Sequence, residues 1–388
     1  MIRYSTAGES HGRCLTAILE GVPAGVPVTE DFINKDLVRR QHTYGRGERQ
    51  KFIEEDRASI LSGVRWGETL GSPITLQVAN KDWENWQKIM SLSAEDRAEK
   101  FQLSRPRPGH ADLVGALKYD RRDVRDILER ASARETAVRT AVGAVCKRFL
   151  EETGIRIFSY VHEVGEVEAK IPDDVPFSEL YARAEASPIR TPDKEAGEKM
   201  MAAIDAAKAE GDTLGGSWTV VATGLPVGLG SHTQWDLKLD GLLAQAVLSI
   251  QAHKGVEFGA GFSSARNRGS DSHDEIRYAA GRGFFRDTNH AGGLEGGMTN
   301  GEPLVVRAAM KPLASLRKPL KSVNLNSKEE MTAEIVRSDV CPVAAAAVIG
   351  EAVTAVVLAD ALTRKFGGDS LRELKDNLSR YVEHVKSF

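Results

Sequence analysis

Apolar residues recur along this chain with two different periods. Phe32, Ile33, Leu37 and Val38 follow the three-and-four spacing of one helical face, and Thr29 stands where a hydroxyl caps the start of a helix running to Gln41. Runs at 155–161, 218–222 and 304–309 are short, β-branched and bounded by turn residues, so they predict strands. The patterns at 235–253 and 370–385 predict helices, as do the long alanine-rich stretches 123–152 and 342–366. The mixture predicts an α+β fold.

Two short signatures return in the same order. Gly21-Val22-Pro23-Ala24-Gly25-Val26 is echoed by Gly224-Leu225-Pro226-Val227-Gly228-Leu229. Gly67-Glu68-Thr69-Leu70-Gly71-Ser72-Pro73-Ile74 is echoed by Gly297-Met298-Thr299-Asn300-Gly301-Glu302-Pro303-Leu304. Both read as turns feeding strands, and each second signature leads to an arginine-bearing stretch and an alanine-rich helix. Such an order fits internal duplication, with halves 1–152 and 213–388 and a site formed between them. The charged, alanine-rich segment 172–212 reads as a surface helical insertion that joins the halves.

Composition narrows the function. With 41% apolar and 28% charged residues the chain has the make-up of a globular protein that buries a large core. A net charge of -3 argues against general adhesion to nucleic acid or membrane, so its arginine clusters need a local explanation. Cys14, Cys146 and Cys341 are far apart and lack metal-ligand spacing, which points to a reducing, cytoplasmic setting without disulfide or zinc. No signal-peptide core is expected at the N-terminus, and no membrane span, because Glu351 and Asp360 interrupt the most apolar run.

Gly8-Glu9-Ser10-His11-Gly12 satisfies the G-x-S-x-G pattern of a hydrolase nucleophile elbow. Only seven residues precede it, too few for the earlier strand and loop that complete an oxyanion hole, so His11 is the more informative residue. Arginine concentrates around Arg39-Arg40 to Arg49, at Arg105-Pro106-Arg107, at Arg130 to Arg134 and at Arg337-Ser338-Asp339. Guanidinium forks beside glycines suit carboxylate or phosphate oxygens, and His11 and His110 are candidates for proton transfer near neutral pH. Asp339, ahead of a helical run, reads locally as a cap. The glycine-rich run 291–301 is flexible enough to lie against a planar ring or a phosphate, or to form a surface loop. The chain has no Rossmann or Walker fingerprint. These residues leave open a serine hydrolase using Ser10, a flavin- or anion-binding carrier, and an enzyme acting on a small phosphorylated or carboxylated molecule.

Taken together, Gly8-Glu9-Ser10-His11-Gly12, Tyr44-Gly45-Arg46-Gly47, Arg107-Pro108-Gly109-His110-Ala111-Asp112, Ser132-Ala133-Arg134-Glu135-Thr136, the 292–301 run and Arg337-Ser338-Asp339 resemble the chorismate synthase family from end to end. The resemblance implies a β-α-β sandwich, commonly a homotetramer. It implies a lyase that uses reduced FMN to convert 5-enolpyruvylshikimate 3-phosphate to chorismate and phosphate, a 1,4-anti elimination with no net redox change. It places catalytic roles on His11, His110 and Asp339. His11 would act at the leaving phosphate, His110 near the flavin, and Asp339 in removal of the ring proton. Flavin contacts fall on Arg130, Ala131, Ser132, Gln251, Ala252, Gly296, Lys311, Pro312, Leu313, Ala314, Ser315 and Arg337. Substrate contacts fall on Ser10, Arg40, Arg46, Arg49, Arg107 and Arg134, with Arg40 and Arg46 also open to NADPH. Ala131 and Gln251 depart from the serine and asparagine frequent there. With no added reductase domain, the flavin is expected to be reduced externally, a flavin reductase being a transient partner.

Overall fold

Strand β1 (Arg3–Ala7) turns back through Gly8–Gly12 into β2 (Cys14–Glu20), and the two pair antiparallel from Arg3↔Glu20 to Ala7↔Thr16. The computed structural model describes all residues except 47–55, 173–174 and 337. Helix α1 (Glu30–Gln41) follows, with Thr29 Oγ1 accepting from Phe32 N at its start. Ile33 and Leu37 face the core, but Val38 is half exposed, so the buried stripe is rotated from the expected one toward Asp36 and Arg40. Strands β3 (Ala58–Ile60) and β6 (Ile74–Ala79) complete the sheet in the order β1-β2-β6-β3, with the small hairpin β4 (Val64–Arg65) and β5 (Glu68–Thr69) between them. Leu15, Ala17 and Leu19 of β2 and Ile74, Leu76 and Val78 of β6 alternate inward, the period of a sheet packed on one face.

The expected helix 123–152 is interrupted. It divides into α3 (Arg125–Ala131), a 3-10 turn Ala133–Glu135 and α4 (Thr136–Glu151), preceded by α2 (Asp112–Lys118). Ser132 makes the break: its backbone is extended and its hydroxyl accepts from Arg134 N, closing a turn in place of a helical step.

The second sheet is also antiparallel, in the order β10-β15-β9-β7-β8. It holds β7 (Arg156–Val164), β8 (Val167–Glu168), β9 (Gly216–Thr223), β10 (His253–Phe258) and β15 (Leu304–Met310), with hairpins β11 (Ile276–Ala279) and β12 (Gly283–Arg286), and β13 (Leu294–Glu295) and β14 (Met298–Thr299), between the last two. Its first strand, β7, precedes the 172–212 segment, which therefore leaves and re-enters one sheet. That segment forms α5 (Phe177–Ala186) and α6 (Lys194–Glu210). More than a connector, it buries Ala184 against Phe158, Tyr160 and Val221 on the outer face of the sheet, so β9 is buried on both faces. The expected helix 235–253 shrinks to α7 (Leu239–Leu248), because His253 already belongs to β10.

The repeated signatures make the same bonds. Thr69 Oγ1 donates to Pro23 O at 2.6 Å and accepts from Val26 N at 2.9 Å; Thr299 Oγ1 donates to Pro226 O at 2.6 Å and accepts from Leu229 N at 2.8 Å. Read from β7, the second sheet repeats the strand order of the first, β7-β9-β15-β10 against β1-β2-β6-β3. The glycine-rich run is no loose surface loop: it forms the β13–β14 hairpin, with Leu294, Thr299 and Asn300 buried.

Between the sheets run α1, α4, α7 and α8 (Val343–Phe366), followed by α9 (Leu371–Ser387). Helix α8 is long and apolar enough to cross a membrane, contrary to the expectation that no stretch qualifies, but most of it is buried against α4 and the second sheet. The layers are sheet, helices, sheet, as expected of a β-α-β sandwich.

Candidate active site

The loop joining β1 to β2 carries Ser10 and His11. Because it connects two antiparallel strands, it lacks the strand-to-helix geometry of a nucleophile elbow, and the hydrolase reading loses its basis. Ser10 N donates to Glu129 O, and its hydroxyl accepts from Ser132 Oγ at 3.2 Å. His11 lies against the last turn of α3. Its backbone N–H donates to Glu129 Oε2 at 2.9 Å, its Nδ1 lies 2.9 and 3.0 Å from the two carboxylate oxygens, and its ring stacks on Trp86 at 3.7 Å. Burial alone would push the Glu129 carboxyl up, but the hydrogen bonds and charge of His11, with Arg125, hold it below the usual carboxylate range.

Arg130 fastens the same loop from the end of α3, donating to Gly8 O and to Thr6 O and Oγ1. Thr6 Oγ1 donates onward to Glu135, whose second oxygen accepts from Gln251 Nε2. Ala252 holds a left-handed backbone, φ 67°, and its carbonyl accepts from Lys311 N. Lys311 Nζ in turn donates to Gly109 O, beside His110. Pro312 and Leu313 lie along the strand entry at 213–215, where Thr213 Oγ1 donates to Leu313 O, and Ala314 sits near Gly109.

The His110 loop closes on itself. Asp112, fully buried at the start of α2, accepts from Arg107 N, Nε and Nη2, and His110 Nδ1 lies 2.5 Å from its Oδ1. Burial opposes ionisation of Asp112, yet His110 and Arg107 together hold its carboxyl far below the usual range. Arg107 Nη1 also donates to Ser315 Oγ at 2.6 Å, and Ser338 Oγ donates to Ser315 O. Asp339 follows Ser338 and does not cap α8, whose cap position is Pro342; its Oδ2 pairs with Arg46 Nη1 at 2.7 Å. Gly45 makes this possible. A Cβ there would stand 2.4 Å from Cys341 O, so only glycine lets the 44–46 loop lie on 339–341.

Hydrogen bonds and chain neighbours therefore run from His11 through Arg130, Thr6, Glu135, Gln251, Ala252 and Lys311 to His110, and from Arg107 through Ser315 and Ser338 to Asp339. Arg40 and Arg134 join at the edge. Both are buried on Asp56, Arg40 also donating to Thr136 Oγ1 and Ala133 O. They are thus already paired, rather than open. Gly296 is held elsewhere, in the β13–β14 turn beside His232 and Met298. Arg49 and Arg337 lie outside the described residues.

Sequence reasoning missed Glu129, Trp86, Asp112 as a histidine partner, and Asp56. Asp112 stands inside a motif already singled out and Glu129 immediately before one, but only the fold brings Glu129 to His11. Among the described residues no cluster of His, Cys, Asp and Glu has the make-up of a metal site, and the three cysteines are free.

The family described as Chorismate synthase matches residues 2–363. The chain is 57% identical over 395 residues to a protein named Chorismate synthase from Geobacter sulfurreducens, covering 100% of each. It is 57% identical over 389 residues to one of the same name from Symbiobacterium thermophilum, covering 99% of each. A solved structure described as a crystal structure of chorismate synthase superposes with a TM-score of 0.81 at 46% identity, over 100% of this chain and 99% of that one. This chain belongs to the chorismate synthase family, lyases that eliminate phosphate in the final step of the shikimate pathway.

Proposed function

We propose that this chain converts 5-enolpyruvylshikimate 3-phosphate to chorismate with reduced FMN bound, using His11, His110 and Asp339. The observation that carries the assignment of residues is the run of hydrogen bonds and chain neighbours that joins the three, with arginines along it. Two features fit a flavin at Arg130 to Ser132, Gln251-Ala252 and Lys311 to Ser315. These segments are bonded to one another, and among the described residues Gln251 Oε1 is a buried acceptor without a partner, which a ring N–H donor would satisfy. When bound, the reduced flavin supplies the electron-rich base that lets the elimination proceed without net redox change.

The protein's part is charge and proton management. Arg46, Arg107 and Arg134 bind the phosphate and carboxylates of the substrate, with Arg40 behind them and Ser10 as a neutral contact. The C–H electron pair becomes ring unsaturation while the C–O pair leaves with phosphate. His11, acting as an imidazolium whose Nδ1–H stays on Glu129, delivers its Nε2 proton to a departing phosphate oxygen and is left neutral, and the Asp339 carboxylate takes part in removing the ring proton. His110, turned by Asp112, holds a proton beside the flavin segments. The reading extends to a cytoplasmic homotetramer supplied with reduced FMN from outside, with NADPH as the distant reductant. Exposed Leu113, Val114 and Leu117 on α2 and Tyr278 and Phe284 on the β11–β12 hairpin support burial between copies.

Anaerobic phosphate release tests the assignment. Activity is expected with reduced FMN and absent with oxidised FMN; release without any flavin overturns it. His11→Ala and Asp339→Ala are each expected to lower kcat by roughly 10²–10⁴-fold while melting close to wild type, and near-normal turnover in either would remove its assigned role.

A further inference from the structure

His11 is clamped on two sides. The Glu129 carboxylate takes its Nδ1 edge and its backbone N–H together, and Trp86 covers one face with ring planes 21° apart. Neither clamp is loose. Trp86 Nε1 donates to Asp82 Oδ2 at 2.9 Å, and the Arg125 guanidinium lies over the same indole at 5.4 Å. Arg125 Nη1 donates to Glu129 Oε1 at 3.1 Å while its Nε is held by Phe101 O. Glu129 is 2% exposed and His11 is only partly so.

An ionised carboxylate only accepts hydrogen bonds, so the ring atom against it carries the proton. Arg125 and the His11 backbone N–H keep Glu129 ionised, and His11 is thereby fixed with hydrogen on Nδ1 and with Nε2 as the atom turned away from α3.

We propose that Glu129 is a positioning residue for His11: it selects the imidazole tautomer and ring orientation that present Nε2 to the leaving phosphate. This rests on the proposed role of His11. A carboxylate behind a histidine serves the same two ends in hydrolytic and metal sites, holding the tautomer and offsetting charge when the ring is protonated. Here the stack on Trp86 adds a wall that stops the ring flipping.

Two arms test it. Histidine-¹⁵N spectra of the protein without flavin or substrate, with the His11 signals assigned by their loss in His11→Ala, are expected to show a protonated Nδ1 in wild type and a mixture of tautomers in Glu129→Gln. A wild-type His11 without hydrogen on Nδ1, or an unchanged spectrum in Glu129→Gln, overturns the proposal. In anaerobic turnover, Glu129→Gln is expected to lose about tenfold to a hundredfold in kcat, within the span of general acid catalysis, with KM nearly unchanged. Glu129→Asp, which keeps the charge but draws it back, is expected to fall between and serves if the amide variant folds poorly. The double variant with His11→Ala is expected to be no slower than His11→Ala alone; additive losses would show that Glu129 acts on something else. Wild type that releases no phosphate with reduced FMN would sink the functional reading, while the spectra still report on Glu129.

Discussion

Within the second sheet, His253 has both ring nitrogens committed: Trp218 Nε1 donates to Nε2 at 2.8 Å, and Nδ1 donates to the Gln251 carbonyl. Burial leaves no room for its charged form and pushes its pKa down to about 4 from an ordinary 6.5. The folded value lies below the unfolded one, so the stability contributed by this neutral ring is present above about pH 6.5 and lost as pH falls toward 4. Over that span the contribution amounts to roughly 3 kcal/mol at 1.36 kcal/mol per decade of proton affinity. The unfolding free energy of wild type relative to His253→Gln is therefore expected to narrow by up to that amount between neutral pH and pH 4; a gap independent of pH would exclude ring protonation as its cause. The neighbouring Gln251-Ala252 turn should loosen along with it. At this scale the chain was partly legible: His11 and His110 stand out among glycines and prolines, and their motifs name them. Glu129 is 118 positions from His11, and nothing local in the sequence records that the two meet.

Helices α4 and α8 cross where Gly143 meets Ala352; a Cβ on Gly143 would stand 2.3 Å from the Ala352 Cβ. Gly350 is similarly closed off by the Trp218 ring, 2.4 Å from where its Cβ would be. Alanine-rich composition announced these helices, but not that their small residues serve backbone approach. Gly143→Ala is expected to lower stability by about 1–3 kcal/mol through overpacking, read as a lower urea midpoint, although alanine favours helix in isolation. An unchanged midpoint would mean that the two helices are free to separate. The interrupted helix at Ser132 escaped sequence reading because its apolar period continues through the break. Only the hydroxyl's bond to Arg134 N, together with Arg134 being drawn to Asp56, turns the chain there. Helix α7 was overextended for a related reason, since Ile250 and Ala252 prolong the apolar pattern past Leu248 into the turn before β10.

Across the whole molecule, α1, α4, α5 and α8 are pinned by one buried ionic cluster. Glu351 accepts from Arg39, Lys147 and Ser159, and Arg39 also reaches Asp36 and Glu185. Burial alone would raise the Glu351 carboxyl, but Arg39 and Lys147 overcome it and hold the group well below the usual range. Its contribution is thus present above an unfolded value near 4.5 and is lost as pH falls below that value. Glu351→Gln leaves two buried cations short of a partner and is expected to cost about 3–5 kcal/mol near pH 7, with the difference from wild type shrinking in acid. Equal denaturation curves at pH 7 would show the cluster to be dispensable. None of these pairings follows periodicity, so the layered architecture was readable from apolar spacing while its ionic centre was not.

The same economy of charge governs the candidate arginines. Arg40 and Arg134 share Asp56, Arg46 holds Asp339, and Arg107 holds Asp112. An arriving polyanion meets guanidiniums that already have counter-ions, so its affinity is set by an exchange of partners rather than by attraction to bare positive charge. A lone phosphate replaces one carboxylate with another anion and gains little. On the proposed role of these arginines, only a molecule whose anionic groups reach several of them together would come out ahead, and selectivity for a multiply charged ring would then be a property of the resting protein.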